Sequence, residues 1–109
     1  MRKIYSKLVR DRIPEIIRKK GGVPESRILD QVEYLAELKR KFQEELGEYL
    51  AAETPEERLE EMADIFEVIT ALNEAEGRNI EMVVAVQKKK RDERGAFKER
   101  IFLESVEEE

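Results

Sequence analysis

A helix has to begin at Thr54-Pro55-Glu56-Glu57. Thr followed three residues later by Glu is a capping box, and Pro fits the first helical position because its missing N–H would have no partner there. The residues before Thr54 carry their own helical pattern. Val32, Leu35, Leu38, Phe42, Leu46, Tyr49 and Leu50 recur at three- and four-residue steps, which predicts a helix from about Gln31 to Ala52 with Asp30 as its N-cap. The helix beginning at Pro55 should run to about Glu76, where Gly77 suits the left-handed position beyond a helix end. Two long helices joined at so short a turn form an antiparallel hairpin.

The flanks add shorter elements. Pro14 fits the first turn of a short helix through Ile16 and Ile17 that stops at Gly21-Gly22. Residues 23–26 read as loop, and Arg27-Ile28-Leu29 admits a very short strand. Asn79 can cap a fourth helix through Ile80, Val83, Val84 and Val86, ending near Arg94 with Gly95 behind it. Residues 97–106 show no clear period, and Glu107-Glu108-Glu109 is a solvated end. No repeat or composition shift divides residues 1–109. The expectation is one all-α domain, an antiparallel helical bundle with short terminal strands admitted. Ile65, Phe66, Val68, Ile69, Ala71 and Leu72 surround the third helix almost completely, more than its partners in one chain can cover. Burial against a second copy solves this, so a homodimer or a dimer of dimers is expected.

Composition then excludes much of enzyme chemistry. Cys and His are both absent, which removes disulfides, thiolate nucleophiles, Cys/His zinc sites and Ser-His-Asp triads. Any catalysis must use carboxylates, Lys, Arg, Tyr or a hard metal. A net charge of −5 is a poor footprint for nucleic acid, and the four bases of Lys88-Lys-Lys-Arg91 do little to change that. No apolar run approaches the length of a membrane span, and Met1-Arg-Lys-Ile-Tyr-Ser-Lys has no apolar signal core. No membrane partner and a cytoplasmic location are expected.

The acids are informative by position. On a helical wheel Glu45 falls only about 20° beyond Leu38, on the flank of the buried face, with Glu48 about 60° further round. Asp64 and Glu67 fall within the apolar third helix, on a stripe continuing from Glu57, Glu60 and Glu61. The pattern Glu45-x-x-Glu48, a spacer, then Glu61-x-x-Asp64 puts each pair on one face, and the hairpin can set the pairs opposite each other. An all-oxygen site of this kind suits Mg²⁺, with Mn²⁺ as a substitute. With 26 acids in 109 residues, such spacings also arise by chance, and a solvated Glu–Lys face is the alternative reading.

Glu44-Glu45-x-x-Glu48 with Glu60-Glu61-x-x-Asp64 resembles the signature of the all-α nucleoside triphosphate pyrophosphohydrolases, the superfamily of MazG-like proteins, dimeric dUTPases and phosphoribosyl-ATP pyrophosphohydrolase. Lys7-Leu-Val-Arg-Asp-Arg-Ile-Pro14 resembles the opening of a small MazG-like subgroup. Arg94-Gly-Ala-Phe97 followed by Arg100-Ile-Phe resembles its ending, with Ala96 where Gly is expected. The resemblance implies Mg²⁺-dependent hydrolysis of a nucleoside triphosphate to monophosphate and pyrophosphate, a house-cleaning activity against non-canonical nucleotides. It implies Glu45, Glu48, Glu61 and Asp64 as metal ligands, with Glu44 helping to position the attacking water.

Leaving pyrophosphate needs positive charge. Lys90 and Arg94, one turn apart on the fourth helix, are first candidates for phosphate binding, and Lys7 and Arg10 are second. Solvated bases near a helix C-terminus are the competing reading of Lys90 and Arg94. Phe42 and Phe66 sit at core positions, while the Tyr49 hydroxyl suits a pocket edge. Two alternatives to the favoured function stand: phosphoribosyl-ATP pyrophosphohydrolase of histidine biosynthesis, and a non-catalytic helical interaction dimer.

Overall fold

The computed structural model describes residues 1–108. It contains α1 (Ile13–Lys19), α2 (Gln31–Ala51), α3 (Pro55–Ala75) and α4 (Ile80–Arg94), so the all-α class is as expected. Three helix starts are set by side chains. Asp30 accepts from the Glu33 N–H at 2.8 Å, Thr54 Oγ1 from the Glu57 N–H at 3.1 Å, and Asn79 from the Met82 N–H at 3.0 Å. Glu57 also reaches back to accept from the Glu53 N–H at 3.2 Å, one residue earlier than a capping box usually closes. The turn between α2 and α3 is thereby tied from both sides. Thr54→Ala is expected to cost about 1 kcal/mol, read as a lower urea midpoint with an unchanged slope.

Gly77 ends α3 with φ +80°, where a side chain would be strained. Beside it the Arg78 N–H donates to Asn73 O at 2.8 Å and the Gly77 N–H to Glu74 O at 3.0 Å, which satisfies the last carbonyls of the helix. Gln31 Nε2 donates to Ala75 O at 3.1 Å. This bond pins the first residue of α2 to the last of α3 and fixes the hairpin as antiparallel along its whole length.

No strand occurs among the described residues, which corrects the expectation of short terminal strands. Arg27-Ile28-Leu29 is irregular instead. The Arg27 guanidinium is held by both oxygens of Glu33, at 3.2 and 2.7 Å, and the Ile28 side chain is 96% exposed, so no neighbouring chain pairs with this segment.

The core is small. Leu38, Ile65 and Val68 are its buried apolar residues. Phe42 is half-buried, whereas Phe66, expected in the core, is 57% exposed on the outer face of α3. α4 lies mostly away from the hairpin, and none of its residues is buried. The chain is correspondingly elongated, 66 × 35 × 25 Å with a radius of gyration of 19.1 Å, against about 13 Å for a compact domain of this length. Its accessible surface is 10232 Å², where about 6300 Å² is usual for a folded monomer of this mass. No helix among the described residues is long and apolar enough to cross a membrane.

Candidate metal centre

α2 and α3 present their acids to each other across the hairpin. One carboxylate oxygen each from Glu45, Glu61 and Asp64 lies within 4.8 Å of the others. Glu45, one turn from Tyr49 and two from Leu38 on α2, is buried to 6% exposure. Glu61 and Asp64, one turn apart on α3, are half-buried. With the acids ionised, Glu45 Oε2 and Glu61 Oε2 are enclosed and have no hydrogen-bond partner. Enclosed carboxylate oxygens without partners are costly and uncommon. Here there are two, on two acids of the converging group.

The charge balance is uneven. Lys41, one turn before Glu45, places Nζ 3.4 Å from Glu45 Oε1 and 3.7 Å from Glu44 Oε1. Lys7 Nζ stands 4.0 Å from Glu44 Oε1. Arg10 Nη2 donates to Asp64 Oδ1 at 2.6 Å. Glu61 has no basic partner among the described residues. Loss of water, with a protonated Glu61 donating to the Glu45 and Glu48 carboxylates and their charges nearby, pushes its pKa up to about 7.

The donor set fits a hard divalent cation. All three donors are carboxylate oxygens, and two opposite ligands on Mg²⁺ stand about 4.2 Å apart. The three oxygens lie within 4.8 Å of one another, a spacing that suits such an ion, and a cation here would offset the charge of two acids with enclosed, unpartnered oxygens. Glu45, Glu61 and Asp64 would hold it.

The expected site residues divide accordingly. Glu45, Glu61 and Asp64 come together. Glu48 is exposed and lies beside Glu61 at the rim, close enough to raise its pKa but outside the three-acid group. Glu44 stands next to the centre, held between Lys7 and Lys41. Glu57, Glu60 and Glu67 are exposed. Of the bases, Lys7 and Arg10 reach the carboxylates. Lys90 and Arg94 form no ion pair with them among the described residues, and instead line a concavity of about 450 Å³ with Gln87, Arg91, Gly95, Ala96 and Phe97. Lys41 was not among the expected residues. Its signal was present in the four-residue step from Lys41 to Glu45, a spacing that pairs opposite charges on one helix face.

No family model matches this chain, and no solved structure matches it. The chain is 49% identical over 55 residues to an uncharacterised protein of Mycolicibacterium smegmatis (strain ATCC 700084 / mc(2)155), a match covering 50% of this chain and 56% of that protein. The chain thus spans little more than half the length of this relative.

Proposed function

We propose that the chain is a Mg²⁺-dependent nucleoside triphosphate pyrophosphohydrolase that works as a homodimer and hydrolyses non-canonical NTPs or dNTPs to the monophosphate and pyrophosphate. The observation that carries this reading is the convergence of one carboxylate oxygen each from Glu45, Glu61 and Asp64, two of these acids also holding an enclosed oxygen without a hydrogen-bond partner. The resemblance of the acid motif and both flanks to MazG-like enzymes supports the reaction class.

Each part has a chemical role. A divalent cation, when bound, neutralises the triphosphate and makes water a better nucleophile toward the α-phosphorus. Glu45, Glu61 and Asp64 would hold it, with Glu48 at the rim beside Glu61. Glu44, steadied by Lys7 and Lys41, orients the attacking water, and a carboxylate of the centre takes its proton. The bond from the α-phosphorus to the bridging oxygen breaks, and pyrophosphate leaves with that oxygen. Lys7 and Arg10 meet its charge from the same chain, while Lys90 and Arg94 would do so from a second copy.

Product analysis by ion-exchange chromatography tests the reading. Canonical and damaged (d)NTPs and phosphoribosyl-ATP are incubated with Mg²⁺ or with EDTA. Monophosphate and pyrophosphate in equal amounts, abolished by EDTA, are expected. Faster turnover of phosphoribosyl-ATP than of any other nucleotide would move the enzyme to histidine biosynthesis. No turnover of any nucleotide would leave a helical binding dimer.

A further inference from the structure

Arg10 is in an unusual place for a phosphate-binding residue. It lies just ahead of α1, where its carbonyl accepts from the Ile13 N–H at 3.0 Å and closes a turn. From there its guanidinium reaches α3, 54 residues away in sequence, and meets Asp64 at 2.6 Å. Asp64 is one of the three acids whose oxygens converge, and each of the other two keeps one enclosed oxygen, Oε2, without a hydrogen-bond partner. A divalent ion held by this group and a guanidinium on the same carboxylate would be two positive charges within a few ångströms, which repel each other even where solvent reaches them. They compete for Asp64.

The same residue suits the ligand that follows the metal. A guanidinium offers a planar fork that matches phosphate oxygens two at a time, and half of the Arg10 side chain is open to solvent. We infer that Arg10 exchanges partners: it neutralises Asp64 while the centre holds no cation, and swings to the phosphate chain of the substrate when the cation takes Asp64. This rests on the proposed function and adds a coupling to it. Cation binding frees the group that binds phosphate, so the two are captured in order.

The exchange predicts effects of opposite sign from one substitution. Mn²⁺ alone is titrated into the wild type, Arg10→Gln and Arg10→Lys by calorimetry, and inorganic triphosphate is then titrated into the Mn²⁺-loaded proteins. Arg10→Gln should bind Mn²⁺ about threefold to tenfold more tightly, because its competitor is gone, and triphosphate about tenfold more weakly, because a charge-assisted fork is lost. Arg10→Lys, which keeps the charge and loses the fork, should fall between the two in triphosphate affinity. If Arg10 merely props up the fold, Arg10→Gln weakens both ligands, and the inference is overturned. Mn²⁺ affinity unchanged in Arg10→Gln overturns it as well, while leaving the metal centre standing. If the wild type and both variants bind no Mn²⁺, the inference falls together with the proposed function.

Discussion

Glu61→Gln is expected to abolish Mg²⁺-dependent turnover and, in the same protein, to raise stability at pH 8 when no metal is present. The two effects share a cause. Glu61 lies opposite Glu45 with an enclosed oxygen and no basic partner among the described residues, and on the proposed function its negative charge is a ligand of the cation. Removing it takes away a charged ligand, and cation chemistry of this kind contributes several kcal/mol to a transition state, so activity should fall about 10³-fold. The amide is neutral and keeps nearly the same shape, so the repulsion between carboxylates in the metal-free protein disappears.

Stability against pH gives this a sign. Glu61 keeps its proton up to about pH 7 in the folded protein, whereas in the unfolded chain it loses it near the ordinary value of 4.5. Between these two values the folded state binds more protons. Stability of the metal-free wild type should therefore decline as pH rises through that window and level off above it. Thermal melts of Glu61→Gln should lack this decline. Mg²⁺ should restore the wild type at pH 8 and do little for the variant. A wild-type melting temperature that is flat from pH 5 to pH 8 in EDTA would show that the three acids are solvated apart.

On the proposed homodimer, Phe66→Lys should break the association and, with it, most of the fold. Phe66 lies on the outward face of α3 near Met62 and Leu59, all exposed. Behind that face the chain buries only Leu38, Ile65 and Val68 among apolar residues, too few to offset the entropy of ordering a chain of this length. The accessible surface exceeds that of a compact monomer of this mass by about 4000 Å². Losing a buried Phe costs about 3–5 kcal/mol, and a two-fold interface loses it twice, so the dimer constant should weaken by about four orders of magnitude or more. Sedimentation velocity at micromolar concentration reads this directly. A wild type that sediments as a folded monomer would sink the idea.

Helix positions were legible because their signals are local. Asp30, Thr54, Asn79 and Gly77 act within four residues of themselves, and each cap stands where its residue type suggests. The placement of Glu45 followed from the same periodicity, since only about 20° separates it from Leu38 on the wheel. What local pattern does not carry is which long-range partner a side chain takes. Arg10 reaching Asp64 depends on how the segment before α1 is laid over α3, and no spacing encodes that. Phe66 was misplaced for a related reason. An apolar residue on a helix signals burial but does not say whether its cover comes from the same chain. Ile28, apolar and extended in type, forms no strand because nothing lies beside it to pair with.

All three converging acids fall between residues 45 and 64, inside the single α2–α3 hairpin. A loop this short closes at little entropic cost, so the hairpin is among the first structures the chain can form. Its closure brings the like charges of Glu45, Glu61 and Asp64 together across the two arms. On the proposed function, a divalent ion bridging the two arms would relieve that repulsion as the hairpin closes. Refolding of the metal-free protein should be slow at neutral pH, and magnesium should accelerate the first-order hairpin step while leaving the concentration-dependent association step unchanged.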